Sequence, residues 1–323
     1  MWTTAAIERW SVDGQFVIAR GAKTHVDVLI VAAAFGGMTG IGEGTPIYYR
    51  GESAGSCLAQ IEAITGALED ASPGEARLAL QEMLAPGAAR NALDAALWEL
   101  EAKQAGKPLW QYLDLAEPQP LQTAYTISLG DGATMAADAA AAAEQGYGLL
   151  KLKLTGEGIR ERAAAVHRAA PGARLIVDAN GSWGDLDIAE EAAALSKLGA
   201  EMIEQPLPEG DDRALADIRS PLPILADESC HDAGDVARLA QLYDGVNIKL
   251  DKAGGMTEAM KMAELARAHD MRVMVGCMLS TSTGIAPAFL LAQQADWVDL
   301  DGPALLAKDR EDGFVFNAGL ISQ

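Results

Sequence analysis

The chain has 323 residues, half of them hydrophobic, which is enough for two domains or for one barrel with additions. Its formal net charge of −21 should repel nucleic-acid phosphates, no apolar run reaches the roughly 18 residues of a membrane span, and the first ten residues lack a signal-peptide pattern. Three widely spaced cysteines, Cys57, Cys230 and Cys277, indicate a reducing compartment, so we expect a soluble cytoplasmic protein without a nucleic-acid or membrane partner.

The first third of the chain has the pattern of a mixed α+β domain. The segments WSVDGQFVIARG (10–21) and VDVLIVAAAFGG (26–37) predict antiparallel strands joined by turns. The segment GAARNALDAALWELEAK (87–103) predicts an amphipathic helix, because its leucines recur at helical spacing. The pattern changes near residue 120, so we expect this domain to cover residues 1–118.

From residue 119 onward, apolar strand-like runs alternate with Ala-rich helical stretches such as DIAEEAAALSKLG and MTEAMKMAELARAHD. The runs end 22 to 27 residues apart, about the length of one strand, one helix and two loops. These ends are Lys153, Asp178, Glu204, Asp227, Lys249, Gly276 and Asp299. A closed α/β barrel explains them, since its catalytic groups come from several strand ends at one rim. An open doubly wound sheet is the alternative, but no Gly-rich phosphate loop follows the first strand.

Three consecutive strands end in carboxylates, at Asp178, Glu204 and Asp227. At one barrel rim these groups would repel one another unless a cation lay among them, and oxygen ligands suit Mg²⁺ or Mn²⁺. Each acid alone fits a helix cap or an exposed loop better than a metal site. Their combination on adjacent βα units predicts a divalent metal site. Zinc is disfavoured, because the four histidines form no pair at ligand spacing.

The stretch LLKLKLTG (149–156) places Lys151 and Lys153 two residues apart, so a strand would point both side chains to one face. In a barrel, Lys249 would approach the three carboxylates from the opposite side. A nearby cation, and for Lys153 the Lys151 ammonium, should lower the lysine pKa toward the range of a general base. An exposed strand with alternating lysines is the alternative, but this strand completes the ring of polar ends.

These residues together resemble the enolase superfamily, and within it the dipeptide epimerases of the muconate-lactonizing subgroup, over essentially the whole chain. The motifs that carry the resemblance are KLKL, VDANGSW, EQPLP, ADESC, NIKLDKAGG and DLDGP. The resemblance implies an α/β fold with a modified (β/α)₇β TIM barrel over residues 119–303. It also implies an α+β capping domain over residues 1–118, completed by residues 304–323. The metal implied is Mg²⁺, with Mn²⁺ as a possible substitute, held by Asp178, Glu204 and Asp227.

The resemblance also implies roles for the remaining polar residues. Lys153 and Lys249 match the acid/base groups on the two faces of the substrate carbon, and Lys151 supports Lys153. The reaction implied is inversion of the α-carbon of a dipeptide's C-terminal residue through a metal-stabilised enolate. Asp299 and Asp301 match the D-x-D motif that holds the substrate ammonium. Thr126 matches a substrate-contacting position.

The resemblance is to L-Ala-D/L-Glu epimerases in particular, with one departure in the segment ARGAKTH. Lys23 stands where members specific for Ala-Glu carry an arginine for the glutamate side chain. Lysine keeps the charge but loses bidentate geometry, so we expect a dipeptide with an acidic second residue and broader selectivity. Arg20, Arg50 and residues 277–280 are further candidates for the pocket lining. Peptidoglycan recycling and a homo-oligomer are compatible with this sequence.

Two other functions remain open at this point. A sister reaction of the o-succinylbenzoate synthase or cycloisomerase type would use the same metal and lysines, but it has no use for Asp299 and Asp301. A non-catalytic, metal-dependent protein that binds acidic peptides would share the fold, but it would not need every acid/base position. The fold alone does not decide among them.

Overall fold

The structure is a computed structural model that describes residues 1–18 and 21–323. Within these residues, its first part combines an antiparallel sheet, in the order β1-β2-β3, with four α-helices. In chain order these elements are β1 (Trp2–Ile18), β2 (Gly21–Phe35), β3 (Met38–Gly44), α1 (Ala54–Ile64), α2 (Pro73–Met83), α3 (Ala88–Gln104) and α4 (Leu109–Tyr112). We call this part the cap.

Helix α3 packs closely on β3 because three glycines of that strand, Gly40, Gly42 and Gly44, face it. A Cβ atom at Gly42 would lie 2.1 Å from the Ala92 carbonyl oxygen, so only glycine permits this approach. The helix predicted over 87–103 is confirmed to within one residue. Strand β3 was not predicted, since its sequence MTGIGEG is rich in glycine, which is depleted in strands.

The second part of the chain contains eleven strands and seven helices. In chain order they are β4 (Leu121–Gln122), β5 (Tyr125–Ile127), α5 (Gly132–Glu144), β6 (Leu149–Lys153), α6 (Ile159–Ala169), β7 (Arg174–Asp178), α7 (Ile188–Lys197), β8 (Ala200–Glu204), β9 (Ile224–Ala226), α8 (Ala233–Leu239), β10 (Gly245–Lys249), α9 (Leu250–Ala253), α10 (Met256–Ala268), β11 (Arg272–Gly276), α11 (Ser282–Ala292), β12 (Trp297–Asp299), β13 (Val315–Asn317) and β14 (Leu320–Ser322).

Strands β5 to β12 form one parallel sheet in which each strand pairs with its neighbour in sequence. The Ala124 N–H donates to the Val298 carbonyl oxygen at 2.8 Å, which joins the start of β5 to β12 and closes the ring. The predicted modified TIM barrel with a cap is therefore confirmed, and the open sheet is excluded. A 3₁₀ turn, Asp212–Asp217, replaces the helix between β8 and β9, where four prolines interrupt the sequence.

The last stretch of the chain contacts both parts. The Ala307 N–H donates to the Ser11 carbonyl oxygen of β1 at 2.9 Å. In contrast, β13 and β14 form a hairpin that pairs with β4, at the amino-terminal ends of the barrel strands. The domain boundaries at residues 118 and 303 stay a prediction. In the described part of the chain, no helix has the length and apolarity that crossing a bilayer requires.

Alternate residues of the barrel strands point into the barrel. Near the amino-terminal ends these inward side chains form a buried apolar layer of Ala124, Leu149, Ile176, Met202, Leu225, Met274 and Trp297. Except for Gly276 on β11, the next inward positions toward the carboxyl ends are polar, as Lys151 and Lys153 after Leu149 illustrate. Because side chains alternate between inside and outside along each strand, the predicted strand-end groups point into one space between the barrel and the cap.

Candidate active site

A recess of about 680 Å³, including its open mouth, lies between the carboxyl ends of the strands and the cap. Eight of the ten predicted site residues line it: Lys23, Thr126, Lys151, Lys153, Asp227, Lys249, Asp299 and Asp301. The other two, Asp178 and Glu204, are fully buried and contact the lining lysines. The fold therefore brings all ten residues to one place.

The carboxylates of Asp178 and Glu204 come from the last residues of β7 and β8, and that of Asp227 comes from the first residue after β9. One oxygen of each lies within 4.8 Å of the others, and all three residues are buried. Oxygen-only donors at this separation suit a hard divalent cation such as Mg²⁺ or Mn²⁺. The residues present therefore fit the predicted metal.

Lys151 lies at the centre of this buried charge network. Its Nζ is 2.7 Å from Glu204 Oε2, 2.8 Å from Asp299 Oδ2 and 3.3 Å from Asp178 Oδ2. Burial disfavours the ammonium, but the attraction of Asp299, Glu204 and Asp178 outweighs it and raises the pKa of Lys151 well above its ordinary value. These carboxylates therefore favour the charged form of Lys151.

Lys153 and Lys249 approach the carboxylates from opposite sides, because β6 and β10 flank β7 to β9. The Lys153 Nζ is 2.6 Å from Asp178 Oδ2, and the Lys249 Nζ is 2.7 Å from Asp227 Oδ2. Burial opposes the charge of Lys249, but Asp227 raises its pKa well above the ordinary value. The carboxylates stabilise the ammonium directly, and the predicted lowering of the Lys249 pKa, which depends on a bound divalent cation, stays a prediction.

The carboxylates differ in their affinity for protons. Burial favours the neutral form of all three, but Lys153 and Lys151 lower the pKa of Asp178 to about 2, and Lys249 and Lys252 lower that of Asp227 well below its usual range. For Glu204, burial and the charge of Asp178 raise the pKa to about 8. The cluster therefore holds less than its full negative charge at neutral pH without a further cation.

Asp299 and Asp301 form an acidic corner of the recess. Lys151 binds Asp299 Oδ2, whereas Asp299 Oδ1 is buried and has no hydrogen-bond partner among the described residues. Asp301 Oδ2 accepts from the Thr126 N–H at 2.7 Å. Burial and the charge of Asp299 raise the pKa of Asp301 to about 7. This corner suits an ammonium group.

The cap supplies the opposite wall. Lys23 is half-buried, and its Nζ lies 4.0 Å from the centroid of the Tyr48 ring, at cation–π distance. Burial lowers the pKa of Lys23. Of the predicted segment 277–280, residues 277–279 line the recess, whereas Ser280 is buried and does not. Arg50 is exposed and does not line the recess, and Arg20 lies outside the described residues.

The sequence matches two described domains that together span most of the chain. Residues 2–114 match the "Mandelate racemase / muconate lactonizing enzyme, N-terminal domain", and residues 134–312 match the "Enolase C-terminal domain-like" family. The chain belongs to the enolase superfamily.

Two relatives within this superfamily are 44% identical to the chain. One is the L-Ala-D/L-Glu epimerase of Escherichia coli (strain K12), matched over 97% of this chain and 96% of that protein. The other is an N-acetyl-D-glutamate racemase of a Pseudoalteromonas species, matched over 74% of this chain and 75% of that protein.

Solved structures of the superfamily are also similar to this chain over nearly its whole length. An enolase family member from Agrobacterium tumefaciens, with homology to dipeptide epimerases and with bound sodium and L-Ala-L-Glu, has a TM-score of 0.94 and 47% identity over 99% of this chain and 97% of its own. A dipeptide epimerase from Enterococcus faecalis V583, complexed with Mg and L-Leu-L-Tyr, has a TM-score of 0.93 and 30% identity over 99% and 96% of the two chains. The predicted resemblance to dipeptide epimerases is confirmed.

Two polar residues beside the cluster of Asp178, Glu204 and Asp227 were not predicted. The Asn247 Nδ2 donates to Glu204 Oε1 at 2.7 Å, and the Lys252 Nζ lies 2.6 Å from Asp227 Oδ1. Asn247 precedes Lys249 by two residues on β10, so strand alternation contained the signal for it. Lys252 reaches the cluster only because α9 turns the chain back, and no local pattern indicates this.

Gln205, directly after Glu204, was also missed and is fully buried. Its Oε1 accepts from the N–H groups of Asp227 at 2.9 Å and Ser229 at 3.1 Å, and its Nε2 donates to the Leu207 carbonyl oxygen at 2.7 Å. Its φ of +40° lies in the left-handed region, which non-glycine residues seldom occupy. Gln205 therefore holds the loop of Asp227 against the loop of Glu204.

Proposed function

We propose that this protein is a Mg²⁺-dependent dipeptide epimerase that inverts the α-carbon of the C-terminal residue with two lysines. The observation that carries this proposal is the placement of Lys153 and Lys249 on opposite sides of the carboxylate cluster, beside the acidic corner of Asp299 and Asp301. The Escherichia coli and Enterococcus faecalis relatives, both named as epimerases, support it.

The residues of the chain divide the chemistry among them. Asp178, Glu204 and Asp227 hold the cation, which when bound supplies Lewis-acid stabilisation of charge developing on the substrate carboxylate. One of the two flanking lysines, in its neutral form, removes the α-proton as general base. The opposite lysine, in its charged form, donates a proton to the other face, and the carbon is inverted. Two bases are needed because a single base would tend to return the proton to the face it came from.

The two ends of the recess determine the substrate class. Asp299 and Asp301 bind the ammonium of the first residue, and the Thr126 N–H orients Asp301. Lys23 binds the side chain of the second residue, which favours an acidic group, as in L-Ala-L-Glu. This preference is supported by the Escherichia coli relative and by the L-Ala-L-Glu in the Agrobacterium structure.

Racemisation of N-acetylglutamate is the second candidate function, because one relative with 44% identity carries that name. Such a substrate keeps the acidic side chain but has no ammonium. Two buried carboxylates facing an uncharged acetyl group would be costly, so Asp299 and Asp301 argue for a dipeptide. The same argument disfavours the o-succinylbenzoate synthase and cycloisomerase reactions.

The setting of the protein is also a proposal. A cytoplasmic location is supported by the unpaired state of Cys57, Cys230 and Cys277. Peptidoglycan recycling is the pathway that an L-Ala-D/L-Glu preference would serve. The exposure of Trp2 and Ile41 on the cap sheet, at 66% and 47%, is compatible with a homo-oligomer.

The first experiment is proton NMR of the purified protein with Mg²⁺ and L-Ala-L-Glu in D₂O. We expect the glutamate α-proton signal to disappear and the signals of L-Ala-D-Glu to grow, with loss of both changes in EDTA. N-acetyl-L-glutamate is measured in parallel. Faster exchange of N-acetylglutamate than of any dipeptide in a panel would overturn the dipeptide assignment.

A further inference from the structure

The turn LDKAGG, residues 250–255, follows Lys249 directly and docks against helix α3 of the cap. The Arg90 Nη2 donates to the Ala253 carbonyl oxygen at 2.6 Å, and its Nε donates to the Gly254 carbonyl oxygen at 3.0 Å. Gly254 and Gly255 both have positive φ, and a Cβ on Gly254 would lie 2.3 Å from the Arg90 Nε. The glycine pair thus lets α3 come close to the turn that carries Lys249.

Asp251 in this turn reaches from the barrel into the cap. It is buried, and its Oδ1 accepts from the Thr45 N–H at 2.8 Å and from the Asn91 Nδ2 at 2.8 Å. The Thr45 Oγ1 in turn donates to the Leu279 carbonyl oxygen at 2.9 Å. Thr45 begins the segment 45–49, whose residues Thr45, Tyr48 and Tyr49 line the recess. We call this segment the cap wall.

We propose that Asp251 is a positioning residue that holds the cap wall at a fixed distance from Lys249. Lys249 precedes Asp251 by two residues, so a displacement of the wall relative to the turn changes the space between the wall and the acid/base lysine. Tyr48, which lies in the cap wall, also supports Lys23 through the cation–π contact. The hydrogen bond from Thr45 to Asp251 therefore also sets the position of Lys23, the proposed partner of the side chain of the dipeptide's second residue. The kinetic consequences of this inference rest on the proposed function, whereas the structural role of Asp251 does not.

The role of Asp251 depends on one oxygen rather than on its charge. Both hydrogen bonds end on Oδ1, so an amide oxygen in the same place could accept both. Burial raises the pKa of Asp251 to about 7, in agreement with a group whose neutral form also serves. Asp251→Asn should therefore keep the cap wall in place, whereas Asp251→Leu should release it.

Asp94 provides a matched control at the same interface. It is also buried between the cap and the barrel, and it accepts from the Thr257 N–H and the Gln81 Nε2, each at 3.0 Å. Neither Thr257 nor Gln81 lines the recess. Asp94→Leu should therefore destabilise the protein as Asp251→Leu does, without moving the cap wall.

The experiment is hydrogen–deuterium exchange of the full chain, followed by mass spectrometry of peptides that cover residues 45–50. We expect exchange there to be at least about tenfold faster in Asp251→Leu and unchanged in Asp251→Asn and Asp94→Leu. If Asp251→Leu does not fold, Asp251→Ser, whose short side chain cannot reach Thr45, replaces it. An exchange rate at residues 45–50 that equals the wild-type rate, in Asp251→Leu or in the Asp251→Ser variant that replaces it, would overturn the inference.

Kinetics with L-Ala-L-Glu give a second readout. We expect Asp251→Leu to raise KM about tenfold or more, with a smaller change in kcat, and Asp251→Asn to restore KM. An equal loss in Asp251→Leu and Asp94→Leu would indicate a merely structural role and contradict the proposal. If the wild type epimerises no dipeptide, the proposed function fails, but the exchange measurement still decides whether Asp251 holds the cap wall.

Discussion

Lys153 and Lys249 bind different carboxylates of one cluster, so each can be tested alone. We expect Lys153→Ala and Lys249→Ala each to reduce epimerisation by about 10²–10⁴-fold, the usual contribution of a general acid or base. Any residual α-proton exchange should be confined to one diastereomer, and to opposite diastereomers in the two variants. The measurement is NMR in D₂O starting from L-Ala-L-Glu and from L-Ala-D-Glu.

Two results would contradict the two-base assignment. One is near-normal epimerisation by either folded variant. The other is residual exchange of the same diastereomer in both variants. Thermal unfolding of each variant provides the control, because loss of the fold would remove activity for an unrelated reason.

Asp301 should control both the affinity for the substrate ammonium and its pH dependence. Its pKa is raised to about 7, so below that pH it takes up a proton and attracts an ammonium less. We expect KM for L-Ala-L-Glu to rise as pH falls from 8 to 6. In Asp301→Asn, we expect KM to be at least about tenfold higher and independent of pH over this range.

N-acetyl-L-Ala-L-Glu is the control for Asp301, because it lacks the ammonium. Its KM should be similar in the wild type and in Asp301→Asn. An equal increase for both compounds would show that Asp301 acts on the shape of the recess and not on the ammonium.

At the scale of single residues, strand alternation and strand ends were enough to predict most of the residues that lie in or beside the recess. The sequence alone was enough to predict Asp178, Glu204, Lys151 and Lys153, because each ends a strand or stands two residues before its end. Lys252 and Asp251 were not, because their importance comes from partners that are distant in sequence, such as Asp227 and Thr45. Such contacts leave no periodic signal.

The loops after β8 and β9 are joined by Gln205, and this connection should determine the affinity for metal. Gln205→Leu removes the acceptor of the Asp227 and Ser229 N–H groups. Groups that orient metal ligands typically contribute 10–100-fold to affinity, so we expect the Mg²⁺ Kd to rise by about that factor. Isothermal titration calorimetry on the metal-free protein measures it.

Gln81→Leu is the matched control for Gln205, since it also loses side-chain hydrogen bonds but lies in the cap. Its Mg²⁺ affinity should equal that of the wild type. An unchanged Kd in Gln205→Leu would show that the carboxylates keep their places without this amide.

At the scale of elements, long periodic segments were predictable and short irregular ones were not. Helices α7 and α10 occupy the stretches predicted for them. Strand β5 has only three residues and ends without a charged group, so the series of polar ends did not include it. Strand β9 ends at Ala226, one residue before the predicted Asp227, which lies in the loop that Gln205 holds.

For the whole molecule, the buried carboxyl groups predict how stability depends on pH. Burial raises the pKa of Asp251 and of Asp301 to about 7, so between pH 5 and 7 the folded protein binds protons that the unfolded chain has lost. Raising the pH through this window therefore favours unfolding. We expect the free energy of unfolding, from urea titrations in EDTA, to fall from pH 5 to pH 7.

Asp251→Asn isolates one group in this pH dependence. Removing a single proton-binding group should reduce the slope by up to about 1.4 kcal/mol per pH unit. The exposed Asp270→Asn is the control and should leave the slope as in the wild type. Stability that rises with pH over this range would contradict the assignment of raised carboxyl pKa values.

The class of fold, the order of the βα units and the three clustered carboxylates could all be inferred from local pattern, because strand period and unit length are properties of short segments. The closure of the ring through Ala124 and Val298, the Lys151 network and the bond from Asp251 to Thr45 required the folded chain. Each joins residues far apart in sequence, and their distances depend on how whole elements pack. Burial, which decides the pKa of Asp301 and of Glu204, likewise arises only when those elements exclude water.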